Sequence, residues 1–455
     1  MTDESATLPS LAAQAESLRS GEVSAQELLD VCLERIQRLN PRLNAFRTVR
    51  ADAARAEAVA AQQRLDAGAS APLLGVPIAV KDNVDIAGET TCHGTGAITR
   101  TAQRDSEVVR RLRAGGAVIV GKTHLPELAM WGNFTESETY GVTRNPWDLD
   151  RSTGGSSGGI AAAVAAGIVG GGQGSDGGAS IRVPAGLCGV YGLKPQRGRV
   201  PLAPDDDHWH GLTVFGPIAR TTRDAALLLD AMCDPGGFAA ATDAEPRALR
   251  IAVSFKNTLP GIKLDAQRRA AVEQTAQLLT ELGHEVVERN PRYGQLLPEI
   301  MPLYLNGLAL DAKKLDDPAK LEPRSAKMAG YGRWLGGRPL RRALRRRDAI
   351  AARINAIFDD HDVVLTPLVS EPPEPIGKWA GKGPVRTFNG SGPYVGYTGV
   401  WNYAGNPAAS IPAGLDAAGL PVAVQAVGAP GSETTLLALS AQLEAARPWA
   451  QRRPP

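Results

Sequence analysis

Four cysteines in 455 residues, Cys32, Cys92, Cys188 and Cys233, share no C-x-x-C spacing. With no disulfide framework or paired-thiol motif to read, reduced thiols in a cytoplasmic protein are the expectation. Long apolar runs are missing too. Ile160 to Gly172 is short and built of small residues, so no membrane span is expected. The opening Met1-Thr2-Asp3-Glu4-Ser5 is acidic and shows no apolar signal-peptide core. An excess of one charge is also lacking: 50 Lys and Arg stand against 48 Asp and Glu, a formal net charge of +2, which gives no argument for a nucleic-acid partner. Length alone suggests roughly three domains, but no Ser/Pro-rich linker separates them, and 43% hydrophobic residues supply an ample core.

What is present is concentrated between Asp150 and Pro184, D-R-S-T-G-G-S-S-G-G-I-A-A-A-V-A-A-G-I-V-G-G-G-Q-G-S-D-G-G-A-S-I-R-V-P. Glycines flank two serine sites, Ser156/Ser157 and Ser180, leaving the backbone free to take strained geometry beside a hydroxyl. Ile160 to Ala166 reads as a helix opening onto the first site. Around the second, Pro184 argues against a long helix, and the N–H groups of Gly177, Gly178, Ala179 and Ser180 can form a nest for a developing negative charge.

Three literal motifs compete here. Gly155 to Gly159 matches G-x-S-x-G, which would make Ser157 a nucleophile needing an acid and a histidine downstream, where only His208, His210, His284 and His361 lie. Gly172 to Gly177 matches G-x-G-x-x-G without a helix opening after it, so dinucleotide binding fails its context. Gly116 to Thr123 matches the P-loop, but its variable positions are apolar and mostly β-branched and read as a buried strand.

Serine chemistry needs a base. Leu73 to Asn83, L-L-G-V-P-I-A-V-K-D-N, places Lys81 at the end of a short apolar strand. Burial there would favour the neutral amine, whereas a lysine snorkelling to the surface would stay charged. Residue types alone leave both open.

These three segments, G-G-S-S-G-G-I-A-A-A-V-A-A-G, G-S-D-G-G-A-S-I-R-V-P-A and V-P-I-A-V-K-D-N, closely resemble the amidase signature family of serine hydrolases in order and spacing. The resemblance implies Ser180 as nucleophile, Ser156, held through a cis peptide bond in that family, as the proton-relaying bridge, and Lys81 as general base. It implies an oxyanion hole from the amides of Gly177, Gly178, Ala179 and Ser180, with Ser157, Asp176 and Arg182 in support. The family usually has glycine where Ala179 stands, so a narrowed site is expected. The implied fold is one α/β domain over residues 1–455, a central mixed, twisted sheet covered by helices on both faces. Its parts would be N-terminal helices (8–66), a signature core (about 72–235) and a variable helical, pocket-covering region (about 290–395). The implied activity is hydrolysis of amide C–N bonds, with esters and carbamates (urethanes) as further small-molecule substrates and no metal or other cofactor. Assembly as a homodimer is compatible with it. The alternatives are a partner-dependent glutamine amidotransferase subunit and a catalytically silent binding protein.

Outside the core motifs, Ser24-Ala25-Gln26-Glu27 reads as a capping box starting a helix that ends at Asn40-Pro41, and 51–66 as an alanine-rich helix. Lys122 is a competing base. Trp131, Phe134 and Tyr140 are candidates for the acyl side of a pocket. Asp205 to His210, if extended, would put both histidines on one face, but a solvated loop is the plainer reading. Six arginines between Arg338 and Arg347 read as a solvated helix face, and Tyr304, Tyr331 and Trp334 as part of the mobile cover. Thr398 to Pro412 and Leu420 to Gln425 resemble closing strands, and Glu433 to Ala445 the last helix.

Overall fold

Several strands of this chain are apolar over most of their length rather than at alternate positions, the pattern of a sheet covered on both faces. In the computed structural model, which describes residues 8–455 and so leaves the acidic opening segment outside the described residues, Pro77–Lys81 and Val118–Thr123 are buried throughout. They belong to an eleven-stranded sheet. Its strands in chain order are β1 (Phe46–Val49), β2 (Pro77–Lys81), β3 (Val118–Thr123), β4 (Gly171–Asp176), β5 (Tyr191–Lys194), β6 (Val214–Ala219), β7 (Arg250–Val253), β8 (Glu285–Glu288), β9 (Val363–Pro367), β10 (Ala408–Leu415) and β11 (Pro421–Gly428). Across the sheet they run β1-β3-β2-β4-β6-β5-β10-β11-β9-β7-β8. Pairing is parallel among β3, β2 and β4 and among β9, β7 and β8, and antiparallel elsewhere. The unbroken mixed sheet makes the chain one α/β unit, as expected.

Three helices lead in: α1 (Leu11–Ser20), α2 (Ala25–Leu43) and α3 (Ala51–Asp66). The Ser24/Glu27 capping box starts α2. The helix runs past Asn40-Pro41, because Pro41 sits in the last turn and Asn44 ends it in the left-handed conformation. The P-loop look-alike is β3 itself.

Helix α4 (Glu107–Ala114) precedes β3. The alanine-rich segment forms α5 (Gly158–Ala165), buried at all eight positions, and small side chains let it lie against β2, β4 and β6. The G-x-G-x-x-G residues are β4, not a turn. A short helix, α6 (Arg182–Leu187), does follow the second serine site; Pro184 is tolerated because it lies in the first turn, where its missing N–H leaves no bond unmade.

One assignment near the C-terminus changes. Thr398 to Asn406 is not strand: Gly399–Ala404 is a helix closed by Gly405 in the left-handed region. Val400 to Ala404 are all buried, so no alternation distinguished the two periods. Residues 297–355 form three helices, Leu297–Lys313, Pro323–Leu335 and Arg338–Asn355, the first packing on the other two. Most of the arginine run is exposed, but Arg347 turns inward to the carbonyls of His210 and Gly211. Tyr331 and Trp334 face outward, Trp334 at 79% exposure.

Candidate active site

β2 lies parallel to β4 with Ala79 opposite Gly172 and Val80 opposite Gln173. The approach needs glycine, since a Cβ at Gly172 would stand 2.2 Å from the Ala79 carbonyl oxygen. The Lys81 amide then donates to Gln173 Oε1 at 3.0 Å, which aims the lysine side chain beyond the strand end. That side chain is fully buried. Its Nζ reaches Ser156 Oγ at 2.7 Å and Ser175 Oγ at 2.9 Å, and Asn83 Nδ2 donates to Ser175 Oγ at 2.9 Å. Burial lowers Lys81 from 10.5 to about 7 against the opposing pull of Asp176, so a large fraction is neutral near neutral pH. Lys122, by contrast, pairs with Asp82 at 2.9 Å and donates to Thr91 Oγ1 at 2.7 Å. Its nitrogen is committed to a buried ion pair.

The peptide bond Gly155–Ser156 is cis. Ser157 fastens the two serine loops together: its N–H donates to the Ser180 carbonyl at 3.1 Å, its Oγ donates to the Ser175 carbonyl at 3.1 Å, and its Oγ accepts the Ser175 N–H at 3.2 Å. No part of Ser157 is exposed, which leaves the G-x-S-x-G reading without a nucleophile open to substrate.

Ser180 sits in the turn between β4 and α6 and keeps 7% exposure where the turn borders a cavity of about 390 Å³. Among the described residues no hydrogen bond joins Ser180 Oγ to Ser156 Oγ, and the N–H groups of Gly177, Ala179 and Ser180 donate to no protein acceptor. The fourth amide of the expected nest is engaged: Gly178 N–H donates to Asp176 Oδ1 at 3.1 Å. Asp176 also accepts from Ile181 N–H at 3.1 Å and from Arg182 Nε and Nη2, each at 3.0 Å. Burial alone would raise this carboxyl, but Arg182 outweighs it and holds Asp176 well below the usual range. Arg182 is anchored in turn on the Thr398 carbonyl at 3.0 Å, Gln425 Oε1 at 2.7 Å and Asn402 Oδ1 at 2.5 Å. Both members of the ion pair are fully buried. The turn that presents Ser180 is therefore fixed from behind by a charge pair.

Ala179 has no left-handed φ. Its methyl packs in an apolar cluster with Val183, Leu187 and Tyr394. No glycine-only backbone conformation is needed at this position.

The pocket aromatics differ from expectation. Trp131 and Phe134 stack on each other, ring centroids 5.6 Å apart, with Arg324 over both rings, and Tyr140 donates to the Thr95 carbonyl. Their neighbours Met130 and Gly132 line the cavity instead, together with Trp209 and Tyr304. Asp205 to His210 is not extended, since Trp209 and His210 both take φ above +50°. His208 meets Thr213 and Asp311, while His210 meets Asn306.

Sequence reasoning missed Ser175, Asn83 and Trp209, whereas Tyr304, expected in the cover, does line the cavity. Ser175 was within reach, lying two residues past Gln173 on the strand beside β2. The other side chains reach the site through loop and helix packing that no spacing announces.

Residues 27–437 match the family model described as Amidase. The chain is 50% identical over 450 residues, 97% of each chain, to the putative amidase AmiB2 of Mycobacterium tuberculosis (strain ATCC 25618 / H37Rv). It is structurally similar, with a TM-score of 0.90 and 32% identity over 98% of each chain, to a 6-aminohexanoate cyclic dimer hydrolase complexed with substrate. A bacterial aryl acylamidase of the amidase signature family gives a TM-score of 0.87 and 27% identity over 98% of each chain.

Proposed function

Because the chain belongs to the amidase family, we propose that it hydrolyses amide C–N bonds through an acyl-enzyme on Ser180, with aryl amides, esters and carbamates as substrates. The observation that carries this reading is the buried Lys81 nitrogen at 2.7 Å from Ser156 Oγ, next in the chain to Ser157, whose N–H donates to the Ser180 carbonyl at 3.1 Å.

In the proposed cycle, neutral Lys81 takes a proton from Ser156, and Ser156 takes one from Ser180 as Ser180 Oγ attacks the substrate carbonyl. The relay closes once substrate draws the two hydroxyls together. The N–H groups of Gly177, Ala179 and Ser180 receive the oxyanion; one such donor is worth roughly 3–4 kcal/mol of barrier. The proton then returns through Ser156 to the leaving nitrogen, the C–N bond breaks, and water attacks the acyl-enzyme to release the acid and restore Ser180. Ser157 would hold the two loops in register and Asp176–Arg182 would hold the nest. None of these steps calls on a metal or other cofactor.

A cytoplasmic setting belongs to the same proposal, supported by four free, buried cysteines. No helix among the described residues is long and apolar enough to cross a membrane. The test is a panel of matched aryl amides, esters and carbamates assayed with the purified chain and with Ser180→Ala. Release of the leaving amine or alcohol by the first and not by the second is the expected result; equal turnover by both would refute the reading.

A further inference from the structure

Resting on that reading, we infer that the substrate is neutral and apolar in the group the cavity holds, and that its carbonyl is the one polar feature the protein recognises. Among the described residues no Asp, Glu, Lys, Arg or His side chain lines the 390 Å³ cavity. Its walls are aliphatic, with Leu259, Ile262, Leu296, Ile300, Met301 and Val395 among them.

The polar atoms that could break this pattern are turned away. Trp209 donates its Nε1 hydrogen to Asp311 Oδ2 at 2.7 Å, and Tyr304 donates its hydroxyl to the Met130 carbonyl at 2.5 Å. Both aromatics therefore give the cavity ring surface and keep their polar ends elsewhere. The hydroxyls of Thr258 and Ser391 are spent on the carbonyls of Gly396 and Phe388, each at 2.6 Å. Asn389 alone keeps an uncommitted amide, and it is exposed at the rim. What stays available along the cavity wall is Ser180 with the N–H groups of Gly177 and Ala179, donors that suit a carbonyl oxygen.

A cavity of this size holds a small organic group and takes its affinity from apolar contact. An ammonium or carboxylate carried into it would lose water and gain no partner. Where the cavity holds the acyl chain, glutamine, which carries both of its charges there, finds no partner for either.

Two matched pairs test this on the full chain: hexanoyl against 6-aminohexanoyl p-nitroanilide, and N-hexylacetamide against N-(6-aminohexyl)acetamide. Each pair differs by one ammonium, on the acyl or on the amine side. The neutral member should lead in kcat/KM by at least about 100-fold in one pair or both, and the pair that discriminates tells which group the cavity holds. Ratios near unity in both pairs, or a lead for the charged members, would overturn the inference. A second measurement separates it from the amidase reading: binding of 4-phenylbutyramide and of glutamine to the Ser180→Ala chain. If none of the four amides is cleaved but 4-phenylbutyramide binds and glutamine does not, amide hydrolysis falls and the cavity assignment stands. Equal binding of the two, or binding of neither, would sink the assignment.

Discussion

Lys81 Nζ lies 2.7 Å from Ser156 Oγ, with no solvent exposure on the lysine. A charged amine would gain little in that position, because Asp176, the carboxylate that acts on it, is paired with Arg182. Burial therefore leaves Lys81 titrating at about 7, and the neutral amine is the form that can accept a proton. Acylation should fall as pH drops through about 7 and level off above it. The stability sign follows from the same shift: between about 7 and 10.5 the unfolded chain binds a proton that the folded chain has released, so this group's contribution to stability grows as pH rises across that window. A kcat/KM profile against pH, beside denaturation at matched pH, checks both.

Lys81→Met removes the base and with it the burden of burying an amine. A loss of about 10²–10⁴-fold in kcat/KM is expected, without loss of stability in thermal denaturation. A large drop in stability together with activity would mean that Lys81 is chiefly structural.

Ser175→Ala deletes the second hydroxyl at Lys81 Nζ and the acceptor of Asn83. Removing a neutral hydrogen bond of about 1 kcal/mol should lower kcat/KM by about five- to tenfold. The pH profile should move with it, which a purely structural Ser175 would not cause.

Asp176→Asn leaves Arg182 buried without its counter-charge. The expected destabilisation is about 3–5 kcal/mol, read from denaturant unfolding. Lys81 also loses the charge that supports its protonated form, so any residual activity should persist to lower pH.

Tyr304 reaches the cavity from helix Leu297–Lys313, in the region we propose as a cover that sets substrate size. Tyr304→Ala should lower kcat/KM for a bulky apolar amide by about 10–200-fold while sparing a small activated ester. Equal losses on both substrates would remove the cover from the account of specificity.

Much of this site was legible before the fold was known. The Gly-Gly-Ser-Ser-Gly-Gly turn, the alanine-rich α5 and the lysine ending β2 have local causes: glycine freedom, small-residue packing and an apolar strand. Ser175 and the engagement of Gly178 by Asp176 depend on how β4 lies beside β2 and on a carboxylate reaching back to its own turn, which spacing does not encode. The aromatics show the limit from the other side. Trp131 and Phe134 stack on each other, while Trp209, placed in a loop by two left-handed residues, lines the cavity. Uniform burial hid the helix Gly399–Ala404 for a related reason, since periodicity is informative only when one face meets water.

The most direct measurement is the reaction of the purified chain with a serine-directed phosphonate, followed by peptide mapping of the adduct. The account predicts a single modified residue, Ser180, with labelling abolished in Ser180→Ala and slowed in Lys81→Met. An adduct on Ser157, or labelling that persists in Ser180→Ala at the same rate, would contradict it.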